Sequence, residues 1–84
     1  MATIFIEVIT PGNGKTYEFQ LDSAMNVGQV KSKIIDEIKE LEKGNITLKL
    51  EKTLLCNLNT RLQLNESENL KNAGVKSGHS LLLL

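Results

Sequence analysis

Two runs of strict apolar alternation flank a dense turn signal, and that pairing constrains the fold more than any other feature of the chain. Thr3 to Thr10 (TIFIEVIT) is β-branched and aromatic, with Ile4, Ile6 and Val8 on one face and Phe5, Glu7 and Ile9 on the other. Lys15 to Leu21 (KTYEFQL) alternates likewise, with Tyr17, Phe19 and Leu21 on one face. Between them lies Pro11-Gly12-Asn13-Gly14, whose glycines reach the left-handed backbone that tight turns require. The pattern predicts a β-hairpin.

From Met25 the period changes. Val27, Val30, Ile34, Ile38 and Leu41, widened by Ile35, recur at spacings of three and four and predict one amphipathic helix. Asn26 is a suitable N-cap, and Gln29 three residues later can close a capping box. Met25 is placed to staple onto Val30, and Gly44 to cap the C-terminus. Lys31, Lys33, Asp36, Glu37, Lys39, Glu40 and Glu42 fill the outer face with charge of both signs. A helix that binds calmodulin or a membrane surface would be basic there, so this one is expected to pack on a core.

Ile46, Leu48 and Leu50 alternate again and predict a third strand. Residues 52–61 (KTLLCNLNTR) show no clear period and read as a turn or irregular excursion. Leu62 and Leu64 suggest a short fourth strand, and Leu70 is the one core candidate in the polar stretch from Asn65 to Asn72. Leu81 to Leu84 follow Gly78 and Ser80, which favour a strand over a helix. The expected order is β-β-α-β-β-β: an α+β fold with one helix packed on one face of a mixed sheet. No repeat, low-complexity tract or linker interrupts residues 1–84, which read as a single domain.

Composition narrows the function. Ten basic and ten acidic side chains cancel, which argues against a nucleic-acid binder working by bulk charge. No apolar run approaches the roughly 18 residues of a membrane span, and the N-terminus lacks the order of a signal peptide. A single cysteine, Cys56, cannot form an internal disulfide and suits a reducing compartment, so a cytoplasmic location is expected. With one histidine and one cysteine, no pair of titratable groups at catalytic spacing and no ligand cluster for a metal or cofactor can be read, so no enzyme is expected. His79 reads as a solvated turn residue, and Cys56 as a small hydrophobe or passive thiol. Gly14-Lys15-Thr16 resembles the end of a phosphate-binding loop, but Gly12 is too close and a strand follows, so a hairpin turn is the better reading.

The helix start NVGQVKSKI, with its apolar stripe and intervening lysines, resembles that of ubiquitin-like β-grasp proteins. So does the ending: Leu70, then Val75, Leu81 and Leu83, with Ala-Gly-Val before a polar turn and a terminal apolar strand. The resemblance spans nearly the whole chain except residues 52–61, and it implies that the last strand inserts centrally, beside the first. Ubiquitin-type modifiers and sulfur carriers act through a C-terminal Gly-Gly, whereas this sequence stops at Leu84 without one. The final VKSGHSLLLL is similar to the ending of the YukD-like family of bacterial type VII (WXG100) secretion systems. That likeness implies a cytoplasmic, non-conjugating accessory or regulatory subunit. Nine lysines against one arginine, with eight asparagines, fit an AT-rich bacterial coding sequence. A generic ubiquitin-like adaptor, or a carrier-type protein lacking its Gly-Gly tail, are the alternatives.

If the helix covers Ile4, Ile6, Leu81 and Leu83, then Phe5, Leu82 and Leu84 point away from it. With the last strand beside the first, these three are expected to cluster, and Lys49 of the neighbouring strand to flank them. Such a face is an expected protein-interaction surface. Either it receives a secretion-machinery subunit or another protein, or it forms a homodimer. The competing reading is that residues 52–61 (Leu54, Leu55, Leu58) cover it, or that it is merely scattered apolar surface.

Overall fold

The computed structural model describes residues 3–44, 48–49 and 52–84. The hairpin forms as the alternation predicts. Strand β1 (Thr3–Thr10) pairs antiparallel with β2 (Lys15–Asp22) in an unbroken one-to-one register from Thr3↔Asp22 to Thr10↔Lys15. Thr10 O accepts hydrogen bonds from the Asn13 and Gly14 N–H groups at 3.3 and 2.9 Å, and Gly14 takes the positive φ of 69° that closes the turn. Lys15 starts a strand here and does not open a helix, as a phosphate loop would require.

Helix α1 (Val27–Leu41) begins where the capping signal places it: Gln29 Oε1 accepts the Asn26 N–H at 3.2 Å. The segment after Leu64 satisfies two more of its first amides, since Val27 N–H donates to Glu68 O (2.8 Å) and Gly28 N–H to Glu66 O (3.2 Å). At the other end the helix stops at Leu41, with Glu42 as C-cap. The chain then turns through two positive φ angles, 51° at Lys43 and 82° at Gly44, so the glycine lies beyond the cap.

Two assignments on the helix are corrected. Leu41, counted in the apolar stripe, is 63% exposed because it falls in the last turn, beyond the sheet's reach. Lys31, counted on the charged outer face, is buried at 3%. It stands next to Val30 at the edge of the stripe and runs its aliphatic stem inward, a use open to long cationic side chains.

The third strand is β3 (Leu55–Asn57), within the segment expected to be irregular. The strand expected around Ile46 to Leu50 lies mostly outside the described residues; Leu48 and Lys49, which are described, carry no strand assignment. Strands β4 (Leu62–Gln63) and β5 (Ser80–Leu83) complete a sheet of order β2-β1-β5-β3-β4. Strand β5 is thus central, parallel to β1 and antiparallel to β3, as a β-grasp requires. One core joins Val27, Val30, Ile34, Ile35 and Ile38 of the helix to Ile4, Ile6, Val8, Phe19, Leu21, Leu55, Leu81 and Leu83 of the sheet. Leu70 and Val75 are buried in it, tied by a Val75 N–H to Leu70 O hydrogen bond of 3.0 Å.

Candidate protein-binding face

Alternation decides which side chains leave the core; register decides which of them meet. On β1, Ile4, Ile6, Val8 and Thr10 are buried, so Phe5, Glu7 and Ile9 take the face opposite the helix. On β5, Leu81 and Leu83 are buried, which sends Ser80 and Leu82 to the same far face. The parallel register then sets Glu7 beside Ser80 and Ile9 beside Leu82. Phe5 lies instead at the level of Gly78, whose N–H donates to Phe5 O at 2.7 Å.

The expected cluster of Phe5, Leu82 and Leu84 is therefore split. Four residues of strand separate Phe5 from the level of Leu82, about 13 Å at the usual rise. Glu7 and Ser80 lie between, with Ser80 Oγ donating to Glu7 Oε2 at 3.5 Å. Lys49 is also corrected: it is exposed but not on the strand beside β5. Its carbonyl accepts from Lys52 N–H (3.0 Å) and Thr53 Oγ1 (2.6 Å), placing it in the turn that leads to β3. Cys56 of β3 occupies the position next to Leu82 that Lys49 was expected to hold.

What forms instead is an apolar row across the middle of the sheet: Ile9, Leu82 and Cys56, each half-buried on adjacent strands. Leu84 extends it. Its backbone exchanges two hydrogen bonds with Leu54, both 2.9 Å, and the two side chains are 55% and 44% exposed. Leu58, whose N–H donates to Ser80 O at 2.9 Å, is exposed on the other side of Cys56. Leu54 and Leu58 thus do not cover the face; they alternate with buried Leu55 and Asn57 and widen it. Leu55 is a core residue.

Side-chain hydrogen bonds tie together the turns beside the row. Asn57, fully buried, accepts at Oδ1 from Asn59 N–H (2.9 Å) and donates from Nδ2 to His79 Nδ1 (3.1 Å). His79 Nδ1 also receives the Lys76 N–H at 3.2 Å, so both contacts use this ring nitrogen as an acceptor. His79 is therefore half-buried and holds the turn before β5 to β3, a firmer place than the solvated turn expected of it. Beyond the sheet, Lys15 Nζ reaches Glu42 Oε1 at 2.6 Å, clipping the hairpin to the end of the helix. The hydrogen bond from Lys15 holds the Glu42 carboxyl below its ordinary value, aided by the Tyr17 hydroxyl, and the same contact raises Lys15. Among the described residues no three metal-ligating side chains come together, and no helix is long and apolar enough to cross a membrane.

The fold superposes on a group of solved structures. An N-terminal ubiquitin-like domain solved in solution superposes with a TM-score of 0.76 at 21% identity, covering 98% of this chain and 73% of that one. The fold is ubiquitin-like. The ubiquitin-like domain of Plasmodium falciparum Dsk2 gives 0.76 at 17% identity, over 98% of this chain and 96% of the other. Caldiarchaeum subterraneum ubiquitin gives 0.73 at 23% identity, over 98% and 91%. No family model and no curated protein matches the sequence. In this ubiquitin-like architecture the last strand lies between β1 and β3, and its Leu81 and Leu83 join the core beneath the helix.

Proposed function

We propose that this chain is a non-catalytic protein-interaction module that docks on a larger protein through the apolar row of its sheet. The observation that carries this reading is the contiguity of Ile9, Leu82, Cys56, Leu84 and Leu54 on the side away from the helix. Apolar surface left in one piece on a small domain marks a partner site more often than surface scattered singly. Leu82 and Ile9 lie on interior strands, each paired with a neighbour on both sides. A partner would meet a preformed surface and pay little ordering entropy.

The narrower reading is an accessory subunit of a bacterial type VII secretion system, working in the cytoplasm. Its support is the similarity of VKSGHSLLLL to the YukD-like ending. A carrier or modifier role is the second reading, and a coding sequence that continued past Leu84 to Gly-Gly would favour it.

The deciding experiment is a pull-down from native lysate with wild type and Leu82→Glu, with bound proteins identified by mass spectrometry. A secretion ATPase or membrane subunit retained by wild type and lost by the variant supports both the module and its face. Retention of the same proteins by both chains would move the binding site elsewhere.

A further inference from the structure

Asn57 and His79 make a side-chain knot at one end of the sheet, and its chemistry depends on a proton. Asn57 is the last residue of β3 and fully buried; His79, half-buried, immediately precedes β5. Three strands meet at this end. Leu58 N–H donates to Ser80 O at 2.9 Å, Ser80 N–H to Asn59 Oδ1 at 2.8 Å, and Glu7 N–H to His79 O at 3.1 Å. The knot therefore sets where Leu58 stands beside the apolar row.

The direction of each contact is fixed by backbone amides, which can only donate. Asn57 Oδ1 accepts from the Asn59 and Thr60 N–H groups at 2.9 and 3.4 Å, so its amide nitrogen is the atom that faces the ring. His79 Nδ1 meets that nitrogen at 3.1 Å and the Lys76 N–H at 3.2 Å, two donors on one lone pair. A bond from His79 N–H to Lys76 O, 3.1 Å, closes the same turn through the backbone.

An imidazolium carries hydrogen on both ring nitrogens and has no lone pair to offer. Rotating the ring does not restore one. Turning the Asn57 amide over would give the ring an acceptor, but it would aim the amide nitrogen at the Asn59 and Thr60 N–H groups. The charged side chains on the elements around His79 offer no compensation. Lys76 and Arg61 are cations, and the Glu7 carboxylate lies on the far face against Ser80 Oγ at 3.5 Å. Among the described residues no carboxylate forms an ion pair with His79.

We propose that His79 is a proton-operated latch. Neutral, it ties the turn before β5 to the turn after β3; protonated, it releases Lys76 and Asn57 together and loosens the end of the sheet that carries Leu58. The latch follows from the two donors on Nδ1 and stands whether or not the row binds a partner. Histidine ordinarily changes charge between about pH 5 and 8, so the latch would respond to mild acid.

The test is an NMR titration of the intact chain from about pH 8 to about pH 5, reading the His79 ring nitrogens and amide exchange together. Rates are taken relative to the same amides in the unfolded chain, because exchange chemistry itself varies with pH. Protection of Asn59, Thr60 and Lys76 is expected to fall about tenfold, the size of two modest hydrogen bonds lost, as the ring gains its proton. Amides of the hairpin should keep theirs. In His79→Asn the side-chain oxygen takes the place of Nδ1 and does not titrate, so protection should hold across the range. The proposal is overturned if the ring takes up its proton with no loss at these amides, or if His79→Asn loses protection in step with wild type. A ring that stayed neutral until the whole chain unfolded would overturn it as well.

Discussion

The ammonium group of Lys31 donates to the backbone carbonyl of Thr53 at 2.8 Å and lies 3.1 Å from Glu66 Oε1. A helix residue thereby grips both the approach to β3 and the loop that caps the helix. The two partners differ in environment: the Lys31 side chain is almost wholly buried, while that of Glu66 is 58% exposed.

That asymmetry orders the variants. Lys31→Ala should destabilise by about 2–4 kcal/mol, because it removes a packed stem and leaves a buried carbonyl without its donor. Lys31→Met keeps the volume and should lose less. Glu66→Gln should cost under about 1 kcal/mol, as expected of an exposed partner screened by water. Urea unfolding midpoints measure all three, and an equal loss for Lys31→Ala and Glu66→Gln would contradict this account.

Adjacent leucines on β5 should behave oppositely. Leu83→Ala truncates a core side chain and should cost about 2–5 kcal/mol. Leu82→Glu, on the far face, should leave the fold nearly intact and act on partner binding. Thermal melts of the two variants test the register directly; a Leu82→Glu chain that failed to fold would mean the faces are reversed.

Asn57 joins β3, its following turn and His79. Asn57→Ala leaves the Asn59 N–H and the His79 ring nitrogen without their buried partner, and should cost about 1–3 kcal/mol. Exchange of the Asn59 and Lys76 amides should quicken together in this variant. Quickening at Asn59 alone would show that the two turns are not coupled.

The Lys15–Glu42 clip makes a pH prediction. Glu42 titrates below its ordinary 4.5 in the folded chain, so its contribution is present above that value and lost as pH falls through the lowered one. Lys15 titrates above 10.5, so its contribution is present below that value and lost as pH rises through the raised one. The difference in melting temperature between wild type and Glu42→Gln should therefore hold steady across neutral pH and shrink in acid. A difference that widened in acid would give the pair the wrong sign.

The hairpin and helix were legible because each rests on a long, clean period: the alternations Thr3 to Thr10 and Lys15 to Leu21, and the stripe from Val27 to Ile38. Strand β3 was not, since three residues, Leu55 to Asn57, are too few to declare a period and its buried polar residue, Asn57, breaks the expected pattern. For the candidate face, parity assigned Phe5, Ile9 and Leu82 to the correct side. What parity cannot give is stagger. Parallel pairing across a long crossover is fixed by how the intervening chain packs, so whether Leu82 meets Phe5 or Ile9 is a tertiary result. Lys31 escaped for a related reason: its charge marked it as exposed, and only the Thr53 carbonyl and Glu66, far away in sequence, reveal why burial is tolerated.

The pairing of Ile9 with Leu82 also bears on how the chain is made. During synthesis the hairpin can close as soon as Asp22 clears the ribosome, but the inner edge of β1 stays open until β5 has emerged, some 60 residues later. For that interval the nascent chain carries an unzipped strand and half a core. Its folding speed should thus be governed by one long-range closure, and nascent chains stalled before Ser80 should remain substrates for chaperones and proteases whatever the quality of their hairpin and helix.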